Sequence, residues 1–255
     1  MILNVFKILV PDGVIIWDVD RYIINNGIKL SYYGFLYTVS FLLSIYILKK
    51  LHRTNFETED NLIFIIIMAI SSIIGGRLGF VFFYHLEEFK HNLEDVVKIW
   101  QGGLSSHGSA LGIVAGVFWF SRFKKFRYLY FLDKAFLLTL LAGFFIRLGN
   151  FFNSEKIGKK TNGDWGVIFR NSAYANEIRH PIQLYESMIC LILFIFFLRL
   201  NNRVRNGYLT VFIVFSLFTL RYFNMFFFGE NIIIEQNLNF TFALFSLTFF
   251  VVLKK

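Results

Sequence analysis

The sequence predicts an all-α integral membrane protein with about seven transmembrane helices. The 255-residue chain is 56% hydrophobic and 17% charged, whereas soluble domains carry about 25% charged residues. Long apolar stretches recur along its whole length, each close to the roughly 20 residues that a helix needs to cross a bilayer. We therefore expect a single polytopic domain covering residues 1–255.

The apolar stretches place the helices at about 31–48, 62–84, 103–120, 128–146, 183–198, 208–228 and 238–253. Glycine weakens the third stretch, but Gly108, Gly112 and Gly116 recur every four residues. This spacing predicts a bare helix face that packs closely on a neighbouring helix. The one long connection, about 147–182, is expected to form an outward-facing loop domain.

The connections predict an orientation. Basic clusters follow the first, third and fifth spans and end the chain: Lys49, Lys50 and Arg53; Arg122, Lys124, Lys125 and Arg127; Arg199, Arg203 and Arg205; Lys254 and Lys255. Basic loops stay in the cytoplasm, so the N-terminus is expected outside and the C-terminus inside. The net charge of +9 fits this pattern, and no basic stripe accompanies an aromatic platform, so we expect no nucleic-acid partner.

Polar residues of different spans then fall at one depth, near the outer ends of the helices. The set comprises Tyr33, Arg77, His107, Arg147, Gln183, Tyr185, Glu186 and Arg221. The inner halves are nearly bare, as in "LIFIIIMAI". This distribution predicts a single polar site close to the outer face.

Three arginines, Arg77, Arg147 and Arg221, indicate what the site binds. An arginine near the middle of a membrane helix costs about 2.5–3.5 kcal/mol, and one alone is explained by snorkelling to the interface. Three at one depth favour a binding site. Guanidinium binds phosphate bidentately and stays charged, so a phospholipid headgroup is the expected ligand.

The stretch "RLGNFFNSEKIG" places further polar residues after Arg147. Glu155 is expected to neutralise and aim the arginine, while Asn150 and Asn153 hold glycerol or ester oxygens. Gly158 is expected to permit a tight turn. The alternative is a polar helix end that is simply capped at the surface.

His107 is the candidate base, since it begins a glycine-rich helix in "WQGGLSSHGSALGIVAG" and imidazole takes a proton near neutral pH. The sequence contains no HExxH, GxSxG or P-loop pattern and no paired CxxC. We therefore expect neither a metal nor a cofactor.

Five motifs, in order, resemble those of the prolipoprotein diacylglyceryl transferase family, from about residue 30 to the sixth span. They are "LSYYGFLY" with Tyr33, "GGRLGFVFFYH" with Arg77, "WQGGLSSHG" with His107, "RLGNFFNSEKIG" with Arg147, Asn150, Asn153, Glu155 and Gly158, and "RHPIQLYES" with His180, Gln183, Tyr185 and Glu186. The most specific piece is "RLGNFFNSEKIG", and the five matches in order with the right intervals carry the resemblance.

The resemblance implies a seven-span enzyme of the bacterial inner membrane. Such an enzyme transfers the diacylglyceryl group of phosphatidylglycerol to the lipobox cysteine of prolipoproteins, forms a thioether and releases glycerol-1-phosphate. It implies catalytic roles for His107, Arg147, Arg221 and Glu155. It implies lipid-binding roles for Tyr33, Arg77, Asn150, Asn153, Gly158, Gln183, Tyr185 and Glu186, with no cofactor.

The sequence departs from the family pattern after Arg221. The family places a glutamate four residues later and then a basic residue, but here Met225 and Phe228 follow, and the next acid is Glu230. Ser109 and Ser154 stand where glycine is usual. The partner of Arg221 is therefore unassigned by sequence.

A polytopic carrier for an anionic solute or lipid is the alternative function. Carriers bind near the membrane midplane and need polar lining on both sides of it. The apolar inner halves favour the enzyme.

Overall fold

The computed structural model describes residues 7–9, 13–26, 28–51, 58–87, 93–98, 103–163, 165–229 and 233–254. Within them it confirms an all-α membrane architecture with a helix at each predicted span. The helices are α1 (Tyr32–Leu51), α2 (Thr58–Tyr84), α3 (Ser106–Lys124), α4 (Tyr128–Phe152), α5 (Ile182–Leu200), α6 (Tyr208–Phe228) and α7 (Ile233–Lys254). Arg53, Glu230 and Lys255 lie outside the described residues.

Two helices differ in detail from the sequence prediction. In the described part of the chain, six helices are long and apolar enough to cross a membrane, and α3 is the exception. Its 19 residues still extend about 28 Å, and serine, histidine and glycine in its first turns explain its lower hydropathy. Helix α4 continues to Phe152, so Arg147 lies inside the helix rather than just beyond its end.

Close packing of α2 on α3 confirms the glycine-face prediction. A Cβ atom added at Gly108 would lie 2.2 Å from the Gly75 carbonyl oxygen, and one at Gly112 would lie 2.1 Å from the Ser71 carbonyl oxygen. At Gly116 a Cβ would lie 2.3 Å from the Ser71 hydroxyl oxygen. A residue with a Cβ does not fit at these positions without a shift. The glycines therefore allow the two backbones to pack closely and set the position of the start of α3 against α2.

The helix ends that carry the basic connections lie together at one end of the bundle, called the basic end below. Lys124 and Asp60 form an ion pair at 2.6 Å, which joins the end of α3 to the start of α2. The Asn202 side chain donates to the Leu51 carbonyl at 3.3 Å, which joins the end of α5 to the end of α1. The opposite ends of the helices carry the predicted polar residues.

Buried polar groups fasten the basic end. Asp133 accepts from the backbone N–H groups of Gly207 and Thr210, both at 2.8 Å, and so caps the start of α6 from α4. Lys134, which is buried, donates to Asn202 at 2.8 Å. Each buried charge thus has hydrogen-bond partners, as the low-polarity interior requires.

Between the two ends, the core is apolar and aromatic. The rings of Phe64, Phe120 and Phe131 form a mutual cluster with centroids 5.1–5.3 Å apart. Leu137 and Leu140 on α4 are fully buried beside them. This composition agrees with the bare inner halves that the sequence predicted.

The sequence analysis did not predict the short strands of the structure. They are β1 (Lys7–Leu9), β2 (Val14–Asp18), β3 (Tyr22–Asn26), β4 (Ile28–Ser31) and β5 (Gly166–Phe169). Strand β2 pairs with β1 antiparallel and with β5 parallel, while β3 and β4 form a hairpin. The connection between α4 and α5 is thereby held against the N-terminal strands. The side of the membrane that it faces stays a prediction.

Candidate active site

Glu186 lies at the centre of a charged cluster at the end of the bundle opposite the basic end. It projects from the second turn of α5, one turn after Gln183, and is buried. Its two carboxylate oxygens contact two arginines from different helices, Arg147 Nε at 2.6 Å and Arg221 Nε at 3.0 Å. The expectation that Glu155 neutralises Arg147 is therefore wrong in this structure, because Glu186 occupies that position.

Arg221 on α6 has all its nitrogens engaged. Its Nε contacts Glu186, one terminal nitrogen donates to the Ser106 hydroxyl at 2.7 Å, and the other contacts Glu235 at 3.0 Å. Glu235, in the first turn of α7, was missed by the sequence analysis. It supplies Arg221 with a second carboxylate, the partner that the sequence analysis left unassigned. Arg147, Glu186, Arg221 and Glu235 thus form a row of alternating charge across four helices.

Arg147, unlike Arg221, has a side-chain nitrogen that makes no hydrogen bond with another described residue. Its Nε contacts Glu186, and one terminal nitrogen donates to the Asn150 side-chain oxygen at 3.3 Å. The other terminal nitrogen makes no hydrogen bond within the described part of the chain. The Arg147 side chain is 18% exposed, against 7% for Arg221. Its outer edge is therefore available to an anionic ligand.

The segment after α4 brings the predicted amides to Glu155. The side-chain amides of Asn150 and Asn153 each donate to the Glu155 carboxylate at 3.3 Å. Gln183 donates to the Glu155 backbone carbonyl at 2.6 Å, which ties the segment to α5. On the other side of these amides, Asn153 Oδ1 and Gln183 Oε1 are buried acceptors that have no hydrogen-bond partner among the residues that the structure describes. They are conspicuous because such groups are usually satisfied.

Gly158 is required for a different reason from the one predicted. The left-handed backbone of this segment is at Ser154 and Lys156, both with φ of 55°. A Cβ at Gly158 would lie 2.7 Å from the carbonyl oxygens of both His180 and Phe228. Gly158 therefore allows the segment to pass between the start of α5 and the end of α6.

His107 lies on the first turn of α3 and is completely buried. Its Nε2 lies 3.0 Å from Asn239 Oδ1, and its Nδ1 lies 3.3 Å from the Tyr84 hydroxyl. The structure thus adds two partners that the sequence analysis missed. Asn239 was detectable as an amide inside an otherwise apolar span, which is costly unless it is paired.

Two predicted residues lie at the edge of the cluster rather than inside it. Arg77 donates from Nε to the Val96 carbonyl at 2.9 Å, and so braces the connection between α2 and α3. Tyr33 packs against α4, where a Cβ on Gly149 would lie 2.7 Å from its ring. Arg77 and Tyr33 therefore both contact segments that border the site.

Tyr185 and His180 form a separate contact at the start of α5. The Tyr185 hydroxyl lies 3.2 Å from His180 Nδ1, and Phe228 packs against both rings. Burial lowers the pKa of His180 from its ordinary value, and the positive charge of Lys159 lowers it further. His180 is therefore neutral at physiological pH and acts as a hydrogen-bonding group.

The arrangement is chemically suited to an anion. Two guanidinium groups are fixed by one shared carboxylate, Glu186, and one of them, Arg147, has an open edge. Two amide oxygens nearby have no partner among the described residues. Such a site accepts a phosphate together with hydroxyl donors.

Comparisons with known proteins agree with this chemistry. A sequence model of the family described as prolipoprotein diacylglyceryl transferase matches residues 21–253. The chain is 34% identical over 220 residues to a protein of Chloroherpeton thalassium, covering 84% of this chain and 81% of the relative. It is 34% identical over 193 residues to one of Tolumonas auensis, covering 74% of each. A relative from Chlamydia trachomatis is 34% identical over 209 residues, covering 73% of this chain and 74% of the relative. All three relatives are named phosphatidylglycerol–prolipoprotein diacylglyceryl transferase.

Proposed function

The chain belongs to the prolipoprotein diacylglyceryl transferase family, and we propose that it transfers the diacylglyceryl group of phosphatidylglycerol to the lipobox cysteine of prolipoproteins. The thiol sulfur bonds to the glyceryl carbon, and the bond from that carbon to the phosphate oxygen breaks. The bonding electrons leave with glycerol-1-phosphate. The products are a thioether-linked lipid and an anion that needs stabilisation.

The open edge of Arg147 is the observation that carries this proposal. Glu186 holds Arg147 and Arg221 in fixed positions, so little reorganisation is needed when a phosphate arrives. Charge develops on the phosphate as the bond to carbon breaks, and preorganised donors are most effective where charge develops. Arg147 would contact the phosphate directly, with Arg221 contributing its positive charge from beside it.

The free amide oxygens support phosphatidylglycerol as the lipid. Its headgroup ends in a glycerol with two hydroxyl donors. Asn153 Oδ1 and Gln183 Oε1 are two buried acceptors that have no partner within the described part of the chain. An unpaired buried acceptor costs about 1–3 kcal/mol, which a hydroxyl from the ligand would recover. Glu155 orients Asn150 and Asn153 and would set the position of the glycerol.

The remaining residues of the predicted set have supporting roles in this proposal. Arg77 and Gly158 fix the two connections that border the site, and Tyr33 lines its wall beside α4. Tyr185, whose ring packs on Phe228, would contact the lipid at the start of α5. His107 would take the proton of the thiol, whose pKa is about 8.5 when unperturbed.

The reaction can be tested with purified protein in micelles that contain phosphatidylglycerol. A peptide with a lipobox cysteine should gain the mass of a diacylglyceryl group, while the same peptide with serine at that position should not react. A hydroxyl is far harder to ionise than a thiol, so serine separates true thiol chemistry from lipid association. Phosphatidylcholine in place of phosphatidylglycerol should give no product.

The carrier alternative predicts the opposite result. The protein would bind the lipid and form no thioether with the native peptide. The apolar core between the site and the basic end supports the enzyme, since a carrier needs polar lining on both sides of its site.

The proposed orientation places the N-terminus outside the cytoplasmic membrane and the C-terminus in the cytoplasm. Basic residues at one end of the bundle support it. The site would then face the side on which exported prolipoproteins emerge.

A further inference from the structure

His107, the residue proposed to take the thiol proton, is fully enclosed by protein. Its side chain is 0% exposed. Its ring stacks on Phe218 with centroids 5.1 Å apart and meets Phe242 edge-on at 5.0 Å. Both ring nitrogens already face hydrogen-bond partners, so a cysteine in a peptide cannot reach either of them without displacing a protein group. A proton passing from substrate to imidazole therefore needs a carrier between them.

The hydrogen bonds of His107 decide which ring nitrogen is basic. With the Asn239 amide oriented so that Oδ1 faces Nε2 at 3.0 Å, Nε2 carries the hydrogen, because an amide oxygen only accepts. In the neutral ring Nδ1 is then the acceptor. It lies 3.3 Å from the Tyr84 hydroxyl, which donates to it. The basic lone pair of His107 is thus directed at Tyr84.

Tyr84 is the last residue of α2, is partly exposed, and contacts the enclosed histidine at 3.3 Å. Its hydroxyl also hydrogen-bonds with the side chain of Ser105, which precedes α3. The next residue, Ser106, accepts from Arg221 at 2.7 Å, so the start of α3 joins Tyr84 and His107 to the charged cluster. The Tyr84 hydroxyl therefore contacts the imidazole and lies within electrostatic reach of Arg221, the arginine proposed to assist the leaving phosphate.

We propose that the Tyr84 hydroxyl contacts the substrate thiol and relays its proton to Nδ1 of His107. This inference rests on the proposed transferase function and adds Tyr84 to it as a catalytic residue. Asn239 is then a positioning residue, because it fixes the tautomer that leaves Nδ1 free to accept.

The relay balances as a proton transfer coupled to substitution. The thiol proton moves to the Tyr84 oxygen while the Tyr84 proton moves to His107 Nδ1, so the phenol is regenerated and the imidazole becomes a cation. The thiolate attacks the glyceryl carbon, and the electrons of the broken bond pass to the phosphate oxygen. The proton on His107 returns by the same route to the leaving glycerol phosphate or to water.

Replacement of the tyrosine hydroxyl is the first arm of the test. In the full-length protein, Tyr84→Phe should lower kcat by roughly a hundredfold or more, the usual size of general acid–base effects. The KM for phosphatidylglycerol should change little, since Tyr84 does not hold the phosphate. The defect should shrink as pH rises past the thiol pKa of about 8.5, because the thiolate then forms without a base.

Tyr222→Phe is the matched control. Tyr222 lies next to Arg221 in sequence, its ring packs on Phe223, Phe226 and Phe240, and its hydroxyl makes no hydrogen bond within the described residues. Loss of this hydroxyl should leave kcat unchanged.

A fluorinated tyrosine at position 84 is the second arm, and it separates proton transfer from positioning. Fluorine on the ring makes the phenol more acidic and changes the shape very little. A relay predicts that kcat and its pH profile shift with the acidity of the phenol. This variant is nearly isosteric, so it also serves if Tyr84→Phe does not fold.

Each possible outcome decides between the transferase proposal, the relay and a purely structural role of Tyr84. If the native protein forms no thioether, the transferase proposal fails. If the native protein is active and Tyr84→Phe matches it at every pH, the relay is overturned and the transferase function stands. If Tyr84→Phe is inactive at every pH while the fluorinated protein behaves as native, Tyr84 only positions His107, and the relay is again overturned.

Discussion

At the scale of single residues, Arg147 has two tasks that one guanidinium can perform together. It contacts Glu186 through Nε at 2.6 Å and keeps a terminal nitrogen free for a ligand. An ammonium is a point charge and cannot keep the same fork geometry. Arg147→Lys should therefore lower kcat/KM for phosphatidylglycerol by roughly tenfold to a hundredfold, while the protein still inserts and folds. Steady-state kinetics on peptide and lipid give the comparison.

Arg122→Lys is the control for this substitution, because Arg122 lies exposed at the basic end of α3. It should retain full activity. Near-native turnover by Arg147→Lys would show that Arg147 is a surface arginine and does not grip the phosphate.

Glu235 belongs to the same scale, since it supplies Arg221 with a second carboxylate. Glu235→Gln should lower activity by about tenfold, because removing one partner of a buried ion pair leaves an uncompensated charge. Met225 lies one turn after Arg221 on α6 and is buried. A second substitution, Met225→Glu, should restore much of the loss by providing a carboxylate on the same helix. Activity of the single and double variants measures the exchange.

Glu59→Gln is the control for Glu235→Gln. It removes a carboxylate at the basic end, far from the charged cluster, and should have no effect on turnover. If Met225→Glu deepens the defect of Glu235→Gln, the two positions do not substitute for each other, and Glu235 has a role beyond charge.

Sequence reasoning found most of the charged residues in the site and assigned their contacts less well. Arg147 was paired with Glu155 because the two are close in sequence, but Glu186 reaches it from α5. Pairing across helices depends on their relative rotation, which a single sequence does not encode. Glu235 and Tyr84 were missed for the same reason: each joins the site only through a contact with another helix.

At the scale of elements, the close packing of α2 on α3 positions His107. Gly112→Ala would place a Cβ 2.1 Å from the Ser71 carbonyl oxygen, a backbone atom that moves only with its helix. We expect a loss of about 1–3 kcal/mol in the free energy of unfolding, which is typical of overpacking. Turnover should also fall, because His107 moves with α3. Thermal unfolding in detergent and activity at a permissive temperature measure both effects.

Gly143→Ala is the control for helix glycines in general. A Cβ there would lie 3.0 Å from the Cys190 sulfur, a side-chain atom that can shift. It should be nearly neutral, and equal damage from both substitutions would show that helix glycines matter here for another reason.

The cap at the start of α6 should act on stability without acting on catalysis. Asp133 accepts from Gly207, Thr210 N–H and the Thr210 hydroxyl at 2.7–2.8 Å. Asp133→Ala leaves these buried donors unpaired, at a cost of about 1–3 kcal/mol. We expect a lower melting temperature and an unchanged kcat for the folded fraction. Thr210→Val, which removes only the hydroxyl, should cost less, and a fall in kcat with Asp133→Ala would mean that the basic end is coupled to the site.

Helices were predictable at this scale and strands were not. A long apolar run identifies a membrane helix, and even the weaker run of α3 was sufficient to place it. The glycine spacing of α3 then predicted its close packing. Strands of three to five residues, such as β1 and β5, show no periodicity that a sequence can resolve. The parallel pairing of β2 with β5 joins segments about 150 residues apart, which no local pattern predicts.

At the scale of the whole molecule, the ion pairs of the described bundle helices lie at the two ends of the bundle, and a mainly apolar core separates them. Lys124 with Asp60 and Lys134 with Asn202 mark one end. The alternating charges around Glu186 mark the other. A protein that works on a lipid headgroup and an exported peptide needs its site at one membrane face. Because the charged site lies at only one end of the bundle, the orientation of the protein decides which side of the membrane the site faces.

The orientation is tested by two tags on opposite ends. A fluorescent reporter that folds only in the cytoplasm, fused after Lys255, should be bright, because the basic end is expected inside. A short epitope inserted after Gly163 should be reachable by antibody from outside. We expect Gly163 to tolerate insertion, because it is exposed and a Cβ added there would meet nothing within 4 Å. An epitope after Asn202 at the basic end is the control and should be protected until the membrane is opened. If the tag after Asn202 is accessible and the tag after Gly163 is protected, the orientation is the reverse of the one proposed. The charged site would then lie on the side of the membrane where exported thiols are absent.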